Sequence, residues 1–339
     1  MTRRPARRAL LAALAATVVG APIATTQTAT AQTVVPDYVP VAADASPAIA
    51  SVTDLGDRLL LLQVDSPAMG RQVPVKVLLP ADDSRPRGSY LLLDGNSGQV
   101  TENNWLDPER GNAREFFADK NINVVLPVGG TGTNYTDWER EHPTFGRTRW
   151  ATFLGEELPP LLDARLGTNG RTMVGGISSG ATGAVLLAEQ YPDVFDGAVG
   201  YSGCYLTEGP VGKAVTDLVV INGGADSELM WGPQGGATWR AHDPIAGAPA
   251  LAGKPVYLSS GTGLPGPHDD PADPGFARTV VVGGALEVGA NLCTDQLAQA
   301  LRTAGADVTR SAAPVGNHAW PYWRDELARS WPVIEAATR

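Results

Sequence analysis

Two cysteines and four histidines in 339 residues leave little material for a metal centre, and no zinc-spaced Cys/His cluster occurs. A G-x-x-x-x-G-K-[ST] loop is missing as well, so a nucleoside triphosphate has no Walker-type cradle. The 39 glycines fall on no Gly-X-Y period, which excludes collagen, and with 27 prolines they interrupt nearly every possible heptad run, which excludes a coiled coil. With 43% hydrophobic and 18% charged side chains the chain is too apolar to be wholly disordered. Beyond the N-terminus, no apolar stretch reads as long enough to cross a bilayer, so stable membrane insertion is not expected.

The N-terminus has its own logic. Arg3, Arg4, Arg7 and Arg8 form a basic front, Ala9 to Ala21 is a short apolar run, and Ala29-Thr30-Ala31 offers small residues to a signal peptidase. Residues 1–31 therefore read as a secretory signal and 32–51, rich in Ala, Val, Pro and Thr, as a flexible leader. Removing the four arginines leaves 22 basic against 36 acidic residues, a net of −14. A surface of that sign repels polyphosphates, so nucleic acid is not the expected partner. In an oxidising compartment Cys204 and Cys293 can pair, although two buried thiols would look the same in sequence.

From residue 52 onward a single domain is expected. Leu59–Val64 and Val73–Leu79 flank a Pro-Ala-Met-Gly turn and predict an antiparallel pair. Short apolar runs at Tyr90–Leu93, Val124–Val128, Thr172–Val174, Ala198–Tyr201, Val256–Leu258 and Val308–Arg310 then alternate with helical stretches at 150–166, 181–190, 291–304 and 320–337. Buried strands followed by helices predict an α/β fold with a mostly parallel sheet, whose chemistry gathers at the carboxyl ends of the strands.

One such end reads Gly176-Ile177-Ser178-Ser179-Gly180. With a strand before it and a helix after it, this G-x-S-x-G is a nucleophile elbow presenting Ser178 Oγ. Chain order in α/β-hydrolases is nucleophile, acid, histidine, which sets His142 aside. His318 follows the last strand in the loop Gly316-Asn317-His318 and is the expected base; His242 and His268 read as local structure or loop polarity. The acid stays open among Asp226, Asp269, Asp270 and Glu287. Backbone amides of Ser179 and of the Asp94-Gly95-Asn96 loop are the expected oxyanion hole.

These residues resemble the antigen 85 and corynebacterial mycoloyltransferase family of α/β-hydrolase-fold acyltransferases. Leu92-Leu93-Asp94-Gly95 is similar to its oxyanion loop, and Leu126-Pro127-Val128-Gly129-Gly130 with Tyr135-Thr136-Asp137-Trp138 to its next strand and loop. Trp150-Ala151-Thr152-Phe153-Leu154, Tyr191-Pro192-Asp193-Val194-Phe195, Met230-Trp231-Gly232-Pro233 and Asn317-His318-Ala319-Trp320-Pro321-Tyr322-Trp323 extend the likeness over most of the chain.

The resemblance implies Glu287, in Leu286-Glu287, as the acid of a Ser178, Glu287, His318 triad, with Asn96 and Ser179 as oxyanion donors. It implies substrate contacts at Asp94 and Trp320, a Cys204–Cys293 disulfide bracing the acid-bearing segment, and a helical or loop insertion, Leu206 to Pro244, over the site. The family's sugar-contacting Arg is replaced where this chain reads Asn96-Ser97-Gly98. The implied activity is transfer of mycolic acid from trehalose monomycolate to a second trehalose monomycolate, arabinogalactan or an envelope protein, with no metal or organic cofactor. A secreted esterase with the same triad is the alternative, and binding to matrix protein is a secondary role.

Overall fold

A computed structural model describes residues 38–82, 84–96 and 102–339. The signal sequence expected over 1–31 and Ser97 lie outside these residues. Nine strands form one sheet: β1 (Ala48–Asp54), β2 (Leu59–Ser66), β3 (Arg71–Leu78), β4 (Arg87–Leu93), β5 (Asn123–Pro127), β6 (Thr168–Ile177), β7 (Gly197–Tyr201), β8 (Pro255–Ser260) and β9 (Asp307–Ala312). Their order is β1-β2-β3-β5-β4-β6-β7-β8-β9. The first three strands and the β3–β5 contact are antiparallel, and every pairing from β5 to β9 is parallel. The expected antiparallel opening and parallel body are both present.

The later halves of β4 and β6 are apolar and buried because both faces are covered. On β4, Leu91 and Leu93 join one core cluster while Tyr90 and Leu92 join the other. The first cluster packs against α1 (150–166) and α2 (Ser179–Gln190), the second against α5 (Trp320–Thr338) on the opposite face. Midway along α1, Phe153–Glu157 widens into a π turn just before Pro159 and Pro160, which lack the N–H of a regular ladder.

Two expectations change. Residues 48–51, read as leader, belong to β1, which pairs with β2 from Ala48↔Asp65 to Asp54↔Leu60. This edge strand is exposed along most of its length, so burial leaves no alternating pattern to read. The second concerns apolar length: a continuous helical run, Phe276–Ala304, reaches a mean hydropathy of 1.2 over 18 residues, enough by length and composition to cross a membrane. Its later part, α4 (Gly284–Ala304), buries Cys293, Leu297, Ala298 and Leu301, while Val281 and Val282 earlier in the run are exposed.

The insertion carries α3 (Gly209–Asn222) and two short helices, Ser227–Trp231 and Ala237–Ala241. Val220, Met230, Trp231 and Trp239 pack on Trp138 and Leu186 in a core of their own. The insertion reaches the site's margin at Gly223, which lies against Gly132 so closely that a Cβ on Gly132 would stand 2.5 Å from its Cα.

Candidate active site

Ser178 sits between β6 and α2 with φ 53° and ψ −121°, a left-handed conformation that costs a non-glycine residue energy and turns its side chain out of the sheet. The glycines around it are required sterically. A Cβ on Gly176 would stand 2.5 Å from Gly180 O, and one on Gly180 would stand 2.1 Å from Asp94 O. The elbow is therefore pressed against the end of β4, and only glycine allows that approach.

His318 bridges the other two residues. Its Nε2 lies 3.0 Å from Ser178 Oγ and its Nδ1 2.9 Å from Glu287 Oε2. Ser178 comes from the end of β6, Glu287 from the first turn of α4 and His318 from the loop between β9 and α5, so only the tertiary fold brings them together. Glu287 is 1% exposed. Its Oε1 accepts from Ser202 Oγ and from Gly261 N, both at 2.7 Å. Burial pushes this carboxyl up, but the hydrogen bond and charge of His318, with the Gly261 and Ser202 donors, outweigh it and hold the group below the usual carboxylate range.

Ser202, at φ 53°, also accepts from Trp323 Nε1 at 2.9 Å. An indole N–H can only donate, so the one hydroxyl proton of Ser202 is directed to Glu287. The Trp323 ring meets the His318 ring edge-on at 4.9 Å between centroids, closing the imidazole's other side. Sequence reasoning missed Ser202, Gly261 and Trp323 as the surroundings of Glu287 and His318.

At the oxyanion side, Ser179 is the first residue of α2, where an N–H has no partner within the helix. Gly95 N is occupied by Asp94 Oδ1 at 2.7 Å, which leaves Asn96 N as the next amide along the loop. Asn96 is anchored by its side chain, Oδ1 accepting from Gly132 N at 2.9 Å. Asp94 itself faces inward: it is 1% exposed, and its second oxygen accepts from Asn104 N at 2.8 Å. Burial raises its pKa, partly offset by these donors. In this geometry Asp94 braces the loop through the backbone amides of Gly95 and Asn104. Trp320 opens α5, half-buried and packed edge-on against Trp105 and Trp323.

The other acid candidates have local duties. Asp226 caps the Ser227–Trp231 helix by accepting from Glu228 N at 2.9 Å, and Asp270 accepts from Ala272 N at 2.8 Å. Asp269 binds the His318 loop through Asn317. Among the histidines, His142 Nδ1 accepts from Thr144 N and Phe145 N, His242 stacks on Trp231, and His268 pairs with Asp325. Cys204 and Cys293 form a disulfide, with Cα atoms 4.8 Å apart. It ties the segment after β7, which carries Ser202, to the helix that carries Glu287, and Thr294 Oγ1 adds a bond to Gly203 O at 3.3 Å. Among the described residues no group of three or more His, Cys, Asp or Glu side chains is placed to hold a metal ion.

Sheet order and the strand–turn–helix at Ser178 are those of an α/β-hydrolase fold. The esterase family model matches residues 66–333. The MPT51/MPB51 antigen of Mycobacterium tuberculosis is 34% identical over 282 residues, covering 81% of this chain and 87% of that protein. The diacylglycerol acyltransferase/mycolyltransferase Ag85C of Mycobacterium avium is 30% identical over 314 residues, covering 88% and 82%. The crystal structure of Mycobacterium tuberculosis MPT51 superposes with a TM-score of 0.68 at 29% identity, over 86% of this chain and all of that one. A Staphylococcus aureus serine hydrolase, FphF, at a TM-score of 0.60 and 18% identity, shares the fold. The chain belongs to the antigen 85 family of esterases and acyltransferases.

Proposed function

We propose that this protein is an exported serine acyltransferase that moves mycolic acid from trehalose monomycolate to an acceptor in the cell envelope. The observation that carries the reading is the continuous Ser178–His318–Glu287 chain at 3.0 and 2.9 Å, in a protein whose relatives include named mycolyltransferases. Ser178 Oγ attacks the ester carbonyl while His318 Nε2 takes its proton, and Glu287 stays ionised beside the imidazolium. The oxyanion that forms is held by the N–H groups of Ser179 and Asn96. Its collapse expels the trehalose oxygen, which takes the proton back from His318 and leaves a mycoloyl ester on Ser178. An acceptor hydroxyl then gives its proton to His318 and attacks that ester, releasing Ser178 as the free hydroxyl. The acceptor is a second trehalose monomycolate, arabinogalactan or a protein hydroxyl. This chemistry calls on no cofactor. The reading includes removal of residues 1–31 on export and one catalytic domain from β1 onward.

Hydrolysis is the competing outcome, since water in place of the acceptor makes the same site an esterase. The inward-facing Asp94 and the missing family Arg both weaken the case for a trehalose acceptor at that position. Incubating mature protein with trehalose monomycolate and following lipids by mass spectrometry decides between them, with Ser178→Ala as control. Trehalose dimycolate that depends on Ser178 supports transfer to trehalose. Free mycolic acid alone assigns an esterase or a different acceptor, and a product that persists with Ser178→Ala removes the covalent route.

A further inference from the structure

The loop after β8 touches both ends of the proposed proton relay. At its start Gly261 N donates to Glu287 Oε1 at 2.7 Å. It then runs alongside the histidine loop: Gly263 N donates to Gly316 O at 2.8 Å, Gly316 N to Leu264 O at 2.7 Å, and Thr262 Oγ1 to Pro314 O at 2.8 Å. These bonds stop two residues short of His318. Beyond them His268 pairs with Asp325 and packs on the Tyr322 ring, while Asp269 is the side chain that bonds to the residues on both sides of His318.

Asp269 Oδ1 accepts from Asn317 Nδ2 at 2.6 Å. Its Oδ2 accepts from Gly266 N at 2.8 Å and from the Tyr322 hydroxyl. Asn317 is the residue before His318 and is 1% exposed, and Tyr322 lies in the first turn of α5, just after it. The Tyr322 ring also covers Gly316, where φ is +118° and a Cβ would meet the ring at 2.9 Å. The backbone of His318 has only a long bond of its own, from its N to Gly283 O at 3.2 Å. One carboxylate thus gathers the donors that flank the histidine on both sides.

We propose that Asp269 is a positioning residue, which sets the reach of the His318 imidazole toward Ser178 by clamping Asn317 and Tyr322. The role rests on reading Ser178, His318 and Glu287 as the relay. The chemistry of the site suits a carboxylate, because an ionised Asp only accepts and every neighbour on it donates. Burial pushes the Asp269 carboxyl up, but the Tyr322, Gly266 and Asn317 donors and the nearby His268 together hold it below the usual range, so it stays ionised at working pH. Asn317 Oδ1 has no hydrogen-bond partner, so its amide can turn and meet an asparagine at position 269 with a good bond. Asp269→Asn is then a conservative rescue, while Asp269→Ala leaves Asn317 and Tyr322 untethered.

The test measures kcat and KM on p-nitrophenyl butyrate, with active sites counted by a serine-directed phosphonate so that unfolded protein does not enter the rate. A displacement on the scale of an ångström lowers the rate ~10- to 100-fold. Asp269→Ala is expected to lose kcat by that factor with KM within about twofold, Asp269→Asn to recover most of it, and Tyr322→Phe to fall between them. Should Asp269→Ala fail to fold, Asn317→Ala carries its expectation and Tyr322→Phe the intermediate loss. Wild-type kcat per titrated site in Asp269→Ala, or in that pair, overturns the positioning role while the relay stands. Absence of Ser178-dependent turnover in the wild-type protein overturns the relay and the positioning role together.

Discussion

Replacing Glu287 by Gln exposes how strongly the surroundings dictate the protonation of His318. The carboxylate receives Ser202 Oγ and Gly261 N on Oε1, and His318 Nδ1 on Oε2. A carboxamide has a single acceptor end. If its NH2 faced Gly261, two backbone-directed donors would collide, and the peptide N–H cannot turn away. The oxygen therefore keeps the Gly261 side and the NH2 faces Nδ1. His318 must then accept at Nδ1 and carry its proton on Nε2, pointing at Ser178 Oγ, where it cannot act as a base. The same carboxylate-to-amide change in a serine protease lowers kcat by about 10⁴, which corresponds to ~5.5 kcal/mol on the barrier. A drop of that order is expected here for a short-chain p-nitrophenyl ester at pH 7–8, with the protein still folded because both Oε1 bonds survive. A Glu287→Gln protein that keeps more than a tenth of wild-type kcat refutes the reasoning, since Glu287 would not then set the tautomer.

Glu189 offers a pH test: burial, with the charge of Asp243 second, holds its carboxyl well above 4.5, and its Oε1 lacks a partner. A raised folded pKa means that its contribution is intact below the unfolded value and is lost as pH rises toward the folded one, so Glu189→Gln should match wild type near pH 4.5 and exceed it by roughly 1–2 kcal/mol at pH 8 in urea melts. Reducing the Cys204–Cys293 bond, which spans 89 positions, should lower stability by ~4–5 kcal/mol on the chain-entropy model, read as a fall in melting temperature with a thiol or phosphine reductant. Gly180→Ala places a Cβ 2.1 Å from Asp94 O and should cost about 1–3 kcal/mol of stability with a marked fall in kcat. Gly289→Ala, on α4 with open space around it, should instead stabilise by roughly 0.5–1 kcal/mol in the same thermal melts.

The elbow was readable because its requirements are local: a strand, two glycines in a tight turn and a helix appear within one stretch of sequence. His318 could be chosen by order and by its place after the last strand. The acid could not. Many carboxylates satisfied the chain order, Asp226, Asp269 and Asp270 among them, and Glu287 stands in the first turn of a long helix, where nothing nearby in sequence distinguishes it. Only the family likeness selected it, and only the fold reveals Ser202, Gly261 and Trp323 around it, contributed by three separate segments. At Asp94, a motif position carried over as a substrate contact, the fold adds what the likeness did not supply, a buried carboxylate accepting from Gly95 N and Asn104 N. The strand β1 went unread for a different reason, because a strand solvated on both faces has no period.

The bond between Cys204 and Cys293 closes a covalent ring around a particular part of the chain. The ring contains α3, the two short helices after it, β8 and Glu287, but neither Ser178 nor His318. A protease that nicks the chain between α3 and the next helix, at the Gly223-Gly224 turn for instance, cannot separate the pieces. The fragment bearing Ser178 keeps Cys204, and the fragment bearing Glu287 and His318 keeps Cys293. Under non-reducing conditions a cut protein of this design runs as one species until thiol is added, and Ser178 stays linked to Glu287 and His318.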